Sequence, residues 1–449
     1  MPRPVKKILY YTCSHHSQDI GFWETVRSTL AARGCRLVIA ATADTTYVVR
    51  ADRRLNLWKL TPTDRLRSEL EARLDWDRLR LCALGYGETF DRTGIIEQAL
   101  NLNLHLALER PDLVLIYNDR RRVGNLLRQL CILHGLPSLV VERLPWPAWI
   151  SVDPGGMLQD CELFRNIPEP SPEAQPLARE YERLAGSNAT TWWTQPQDRS
   201  SAPLDALIPP GKRVLLFAHQ VDEDAQNFAY NPHFKDNAEA LSWIVRSLPE
   251  DESVFVLGKH HPKATTPPAL YSGILGRHGC WSTTHTMEEC LARADAVVAV
   301  NSSLLFEAIL TGKPVGSLGQ TVLHDCGVFD QLSSPADTSY VSRLLGTPAH
   351  EIKSRKERFL HYTQHCLERA FCLKPQSGPN YGRRGAEALA DFLATQIPAE
   401  PPAGLEGLVS DATECLDSAL TLHTWMTRSR PMKLVWRLSR AVNSLLHRS

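Results

Sequence analysis

Short apolar runs alternate with amphipathic segments along the first 160 residues. Phe22, Val26 and Leu30 recur at helical spacing, and two more helices are predicted over 96–108 and 120–134. The apolar runs that separate these helices lie at 6–11, 36–41, 112–117 and 138–141. Continuous apolar strands between helices are typical of a parallel sheet that is covered on both faces.

The alternation resumes after a proline-rich stretch, which we interpret as an interdomain connection. The predicted strands of this second half lie at 214–218, 254–258, 296–300 and 314–316, and the predicted helices at 236–247, 286–294 and 304–311. The sequence therefore predicts an α/β fold with two facing Rossmann-like domains. The predicted ranges are 1–165, the connection 166–210, 211–397, and a linker with a helical tail, 398–449.

The tail is basic near its end. From Arg428 onward it carries six Lys or Arg residues and no acid, and its apolar residues share one helical face. A basic amphipathic helix can lie on anionic lipid or pack on a partner. The alternative is a helix that packs on the protein's own surface.

Composition limits the possible partners and compartments. The 449 residues carry 50 basic and 50 acidic side chains, so no overall positive field attracts nucleic acid, and nucleic acid is not expected as a partner. Eleven cysteines show no CxxC pair, which indicates reduced thiols rather than a metal cluster. No secretory leader or membrane span is apparent, so we expect a cytoplasmic protein that at most docks on a membrane.

Two polar segments follow predicted strands of the second half. Lys259-His260-His261-Pro262 can present a cation and an imidazole to a phosphate, or it is an ordinary surface turn. Asn301-Ser302-Ser303 precedes a helix, where hydroxyls and amides can bind an anion or simply cap the helix. Glu307, one turn later, can accept ribose hydroxyls or remain solvated.

A third segment, His219-Gln220-Val221-Asp222-Glu223-Asp224, follows the first strand of the second half. Asp222 and Asp224 have the spacing of a DxD metal site. One of them can instead be a carboxylate nucleophile or base, and the segment can also be a solvated acidic turn.

The first half contributes two such positions. Glu142 lies just beyond a predicted strand, and Asn118 ends another, before Arg120 and Arg121. Asn118 can cap the following helix, and the arginines can be solvated or can bind a phosphate-bearing acceptor.

Taken together, these motifs resemble the capsule polysaccharide biosynthesis family, which includes the Kps-type retaining β-Kdo glycosyltransferases. The resemblance rests on the His-Pro turn at 261–262, the Asn-Ser-Ser…Glu-Ala helix at 301–308 and Gly-Lys-Pro-Val at 312–315. Gln220-x-x-x-Asp224 is similar to the family's Gln-x-x-Gly-Asp stretch, with Glu223 in place of glycine. Asp153-Pro154-Gly155-Gly156 is similar to its Asp-Pro-x-Gly positions.

The resemblance implies a GT-B-like fold and a CMP-β-Kdo donor as substrate, without a metal or other cofactor. His261, Ser302 and Ser303 would hold the CMP phosphate, and Glu307 the ribose or base. Asp224 would be the nucleophile and Glu142 the acid/base, because retention by double displacement needs two carboxylates. The implied acceptor is a phosphatidylglycerol-type lipid or the growing Kdo linker.

Three other interpretations remain. A CDP-polyol phosphotransferase of the teichoic-acid type shares the His-Pro and Ser-Ser features but usually has Asp where this chain has Glu307. A nucleotide-sugar 2-epimerase is weaker, since its glycine-rich phosphate loop is missing. A non-catalytic scaffold of the capsule assembly machinery would retain the fold and tolerate loss of both carboxylates.

Overall fold

The computed structural model describes most of both predicted halves. The described residues are 5–12, 20–42, 53–55, 64–85, 88–146, 148–165, 167–168, 175–185, 203–222, 227, 229–373, 384–404 and 408. The basic amphipathic part of the predicted tail lies outside them.

The first sheet has seven strands, and one of them runs antiparallel to both of its neighbours. The strands are β1 (Lys6–Thr12), β2 (Cys35–Thr42), β3 (Arg53–Leu55), β4 (Leu113–Tyr117), β5 (Ser138–Arg143), β6 (Trp149–Asp153) and β13 (Phe371–Cys372). Their order is β13-β6-β5-β4-β1-β2-β3. β6 is antiparallel to β5, and β13 is antiparallel to β6. The described helices of this half are α1 (Ile20–Ala32), α2 (Asp64–Arg73), α3 (Trp76–Gly85), α4 (Arg92–Glu109) and α5 (Arg122–Leu133).

The second sheet has six strands, all parallel. They are β7 (Arg213–Ala218), β8 (Val254–Lys259), β9 (Gly279–Ser282), β10 (Ala296–Ala299), β11 (Val315–Ser317) and β12 (Asp330–Gln331), in the order β12-β11-β10-β7-β8-β9. The described helices from the connection onward are α6 (Pro176–Ala185), α7 (Leu204–Leu207), α8 (Asn237–Arg246), α9 (Pro268–Leu275), α10 (Met287–Arg293), α11 (Leu304–Leu310), α12 (Tyr340–Leu345), α13 (Ala349–Arg369) and α14 (Ala386–Gln396).

Both sheets have the strand order of a Rossmann fold, with a switch point beside the first strand of each half. The predicted fold class, an α/β chain with two facing Rossmann-like sheets, is confirmed. The central strands are apolar along most of their length because helices cover both faces; in β7, every residue after Arg213 is buried.

The chain returns to the first half after the second sheet is complete. β13 pairs with β6, and α14 packs on α1 through Leu389, Ala390 and Leu393. The predicted range 211–397 for the second domain therefore differs from the structure, because the segment after α13 adds to the first sheet. The sequence pattern of α14 indicates an apolar face but does not indicate which of the two sheets that face covers.

The two halves share one hydrophobic cluster. Trp146 follows β5 and is fully buried, with its ring centroid 5.3 Å from that of Phe306 in α11. Its indole Nε1 donates to Thr363 Oγ1 in α13 over 3.2 Å. This side chain therefore connects the first half with two helices of the second.

Replacing this indole should destabilise the protein. Trp146→Ala is expected to lower the free energy of unfolding by about 3–5 kcal/mol, because a large side chain leaves a cavity that the surroundings fill only partly. Trp146→Phe, which keeps a ring, should cost less. Chemical denaturation measures both, and a loss below about 1 kcal/mol for the alanine variant would contradict the shared core.

Candidate functional site

The carboxyl ends of β7 and β10 meet at the switch point of the second sheet. Gln220, just after β7, donates from Nε2 to Asn301 Oδ1 over 2.7 Å, and its Oε1 accepts the Asn301 backbone N–H over 2.8 Å. Both side chains are buried. This reciprocal pair fixes the backbone where ligands of such sheets bind.

A cleft of about 280 Å³ opens between the two halves at this point. The first half contributes the end of β5 and the turn after it, and the second half contributes the ends of β7, β8 and β10. The lining residues are Glu142, Arg143, Leu144, Pro145, Gln220, Val221, His261, Asn301, Ser302, Ser303, Phe306, Thr321 and Val322. The structure thus brings together six of the predicted site residues: Glu142, Gln220, His261, Asn301, Ser302 and Ser303.

Glu142 contributes a carboxylate to this cleft. It lies near the end of the paired region of β5 and β6, opposite Ser151, and is 8% exposed. Its Oε1 accepts the Arg143 backbone N–H over 2.9 Å, which holds the carboxylate at the strand end. Glu142 was predicted to lie just beyond the strand. It lies inside β5, which extends to Arg143 because Arg143 still pairs with Ile150.

His261 faces the cleft from the His-Pro turn. Its Nδ1 accepts the backbone N–H of Lys263 over 3.1 Å, so in the neutral ring the proton lies on Nε2. Burial lowers the pKa of His261 to about 4, with the positive charges of nearby histidines and lysines as further causes. The cleft therefore offers a neutral imidazole with one N–H donor.

This depressed pKa makes stability depend on pH. The unfolded histidine has a pKa of about 6.5. As the pH falls from about 6.5 to about 4, this side chain becomes protonated in the unfolded state but stays neutral in the folded state. The free energy of unfolding should decrease across that window. His365, on α13, has its pKa lowered by burial to about 4 as well.

Urea unfolding at a series of pH values measures this dependence. His261→Gln and His365→Gln should each flatten the decrease below pH 6.5, and the double variant should flatten it most. A wild-type stability that rose with acidification across the window would contradict the assignment.

Asp222 lies outside the cleft lining, in a polar network behind the His-Pro turn. Its carboxylate accepts from Asn237 Nδ2 over 2.6 Å, from Thr266 Oγ1, and from the Tyr271 hydroxyl over 3.0 Å. Burial alone would raise the pKa of Asp222, but hydrogen bonds from His219, Thr266 and Asn237 hold it well below its usual range. A carboxylate with this many donors is a poor nucleophile. Asp224 itself lies outside the described residues.

Other predicted donor residues surround the cleft without lining it. Lys259 is buried within the second half, where burial lowers its pKa, and its Nζ donates to the His260 carbonyl oxygen over 3.3 Å. His260 accepts from Trp281 Nε1 over 3.1 Å, and Pro262 is exposed. Glu307 is half-buried on α11, and burial raises its pKa. The contacts of Lys259 and His260 support the turn that carries His261.

The predicted acceptor residues lie at the end of β4. Asn118 adopts a left-handed backbone conformation (φ 58°), and its Oδ1 accepts the backbone N–H groups of Arg120 and Arg121 over 3.0 and 3.2 Å. Arg120 contacts the Asp160 carboxylate and the Tyr230 hydroxyl, and lies 4.9 Å over the Tyr230 ring. Because Tyr230 belongs to the second half, Arg120 joins the two halves.

Sequence reasoning missed two polar residues of the cleft. Arg143 places a cation on the first-half wall beside Glu142. Thr321, after β11, is 2% exposed, and its hydroxyl has no hydrogen-bond partner among the described residues. Neither belongs to a motif, so only their position next to a strand end could have indicated them.

Within the part of the chain that the structure describes, no cluster of His, Cys, Asp and Glu side chains has the arrangement of a metal site. No helix there has both the length and the apolar character needed to cross a bilayer. The predicted cytoplasmic location and peripheral membrane docking remain predictions.

Comparisons with solved structures give remote similarities. The chain is 12% identical to a Thermosulfurimonas dismutans KpsC β-Kdo 2,7 transferase, with 87% of this chain and 99% of that chain covered and a TM-score of 0.40. A β-Kdo 2,4 transferase of the same KpsC is 15% identical, with 64% and 88% covered and a TM-score of 0.43. A Neisseria meningitidis UDP-GlcNAc 2-epimerase is 12% identical, with 87% and 99% covered and a TM-score of 0.34. No curated protein matches the chain.

A family comparison is more specific. Residues 176–341 match the family described as capsule polysaccharide biosynthesis protein. This segment contains every residue that the second half contributes to the cleft, from Gln220 to Val322. The resemblance inferred from the strand-end motifs is thereby confirmed over residues 176–341, which match the capsule polysaccharide biosynthesis family.

Proposed function

We propose that the protein is a capsule glycosyltransferase that transfers Kdo from CMP-β-Kdo to a lipid or glycolipid linker with retention of configuration. The observation that carries the proposal is the cleft itself. It places Glu142 from the first half in one cavity with His261, Ser302 and Asn301 from the family-matched second half.

The second-half wall has the chemistry of a phosphate site. His261 supplies an N–H donor, Ser302 and Ser303 supply hydroxyls, and Arg143 supplies a cation from across the cleft. In this proposal they bind the CMP phosphate and stabilise the charge that develops when CMP leaves. The binding needs no metal.

Two carboxylates then act in the transfer, one as nucleophile and one as base. Asp224 attacks the anomeric carbon as CMP leaves, and the acceptor hydroxyl displaces Asp224 while Glu142 removes its proton. A phosphatidylglycerol-type lipid or the Kdo linker is the proposed acceptor, and an anionic membrane surface near the basic tail would supply it.

Calorimetric titration of the purified protein with CMP, CDP, UDP, GDP and ADP tests the donor class. Selective CMP binding would support the proposal, and selective CDP binding would favour a polyol-phosphate transferase. If none bound, the donor site would be refuted and a scaffold role would gain weight. Incubation with CMP-Kdo and a linker acceptor, followed by NMR of the product, then tests the transfer and the anomeric configuration.

A further inference from the structure

The His-Pro turn rests on a hydrogen-bonded pair of side chains behind it. We infer that Asp222 and His219 are positioning residues that hold His261 in place for the donor phosphate. The inference rests on the proposed function, and it assigns to Asp222 a role other than the predicted nucleophile or metal ligand.

The direct contact is made by His219, which is buried at 2% exposure. Its Nδ1 lies 3.3 Å from the backbone nitrogen of His261. A backbone N–H can only donate, so Nδ1 must be the acceptor and the imidazole proton must lie on Nε2. The position of His261 in the cleft therefore depends on the tautomer of a second histidine.

The opposite side of that ring fixes this tautomer. His219 Nε2 lies 2.8 Å from the Tyr271 hydroxyl and 3.4 Å from Asp222 Oδ2. The Tyr271 hydroxyl in turn contacts Asp222 Oδ2 over 3.0 Å. Because a carboxylate can only accept, the Tyr271 hydroxyl gives its one proton to Asp222. Its oxygen must then accept from His219 Nε2–H, which leaves the Nδ1 lone pair for His261.

The network also joins four elements of the second half. Asn237, at the start of α8, donates to Asp222 and, over 3.2 Å, to the Gln220 carbonyl oxygen. Gln220 is itself paired with Asn301. Asp222 thus couples the ends of β7 and β8 to the starts of α8 and α9, and loss of its charge should be felt at His261 without any contact between the two.

The test compares Asp222→Asn, His219→Phe, His219→Asn and the double variant Asp222→Asn/His219→Asn. An asparagine amide in place of the carboxylate can donate to Nε2 and draw His219 into the Nδ1–H tautomer, which removes the acceptor. Phe fills the ring volume without an acceptor, whereas Asn at 219 keeps an oxygen near the position of Nδ1. Thermal melts identify any variant that fails to fold, and Thr266→Val provides a second, charge-neutral perturbation of Asp222.

Two readouts separate this inference from the proposed function. Hydrogen exchange of the His261 amide requires no nucleotide; it should accelerate at least about tenfold in Asp222→Asn and His219→Phe, and little in His219→Asn. CMP affinity should fall about 10- to 100-fold in the same two variants. In the His219→Asn background, Asp222→Asn should change amide exchange and CMP affinity little further, because the carboxylate acts through the His219 ring.

The inference would be overturned if Asp222→Asn lowered CMP affinity equally in the wild-type and His219→Asn backgrounds. Unchanged hydrogen exchange of the His261 amide would also overturn it. If the wild-type protein bound no CMP, the proposed function would fail while hydrogen exchange and the ¹⁵N shifts of His219 still decided the positioning role. A His219 ring that remained Nε2-protonated in Asp222→Asn would also refute it.

Discussion

Glu142→Gln is expected to reduce sugar transfer by about 10²- to 10⁴-fold while CMP affinity changes little. The amide keeps the size of the side chain but cannot take a proton from the acceptor, which is the contribution that general base catalysis makes. Glu142 is 8% exposed, lines the cleft and is held by the Arg143 backbone N–H, so the substitution should not rearrange the wall.

Steady-state transfer rates and calorimetric CMP binding, measured on the same preparations, separate the two effects. Glu180→Gln is a matched control, since Glu180 is 7% exposed and lies on α6, away from the cleft lining. Transfer at the wild-type rate in Glu142→Gln would exclude this carboxylate as the acid/base. A large loss in the Glu180 control would show that buried carboxylates matter through stability instead.

His261→Ala is expected to lower kcat/KM for the CMP-sugar by about 10²- to 10³-fold. The imidazole Nε2–H would donate to the departing phosphate, and loss of one such donor to developing charge typically has this size. His261→Gln should retain part of the activity because its amide can place an N–H near the same position.

His365→Ala is the matched control for this substitution. The pKa of His365 is lowered by burial to about 4, as is that of His261, but His365 lies on α13 outside the cleft lining. Nucleotide titration together with initial rates would show whether the substitution weakens CMP binding or slows the transfer. A His261→Ala variant with unchanged rates and CMP affinity would remove the His-Pro turn from the mechanism.

Much of the fold follows from local pattern. The strands that lead into the cleft are continuous apolar runs, and the predicted strand at 254–258 corresponds to β8, Val254–Lys259. Such runs identify buried strands because a strand covered on both faces must be apolar at every position. β13 was missed since it has only two residues and pairs through a contact more than 200 residues away in sequence.

The site was predictable to the extent that strand ends define it. Gln220, His261 and Asn301 each follow a strand, and a parallel sheet places those ends together. Side-chain direction was not predictable: Lys259 and His261 are two residues apart, yet only His261 lines the cleft. The sequence left Asp222 as a candidate metal ligand, nucleophile or base, and its hydrogen bonds from Asn237, Thr266 and Tyr271 became visible only in the structure.

The return of the chain to the first sheet limits how such a protein can evolve. Since β13 pairs with β6 and α14 packs on α1, the second sheet is an insertion within a first domain made of two separate stretches of sequence. Joining two genes end to end cannot exchange the second half. Its replacement by recombination requires two crossovers, one before β7 and one after α13, with both flanking stretches kept from the same parent.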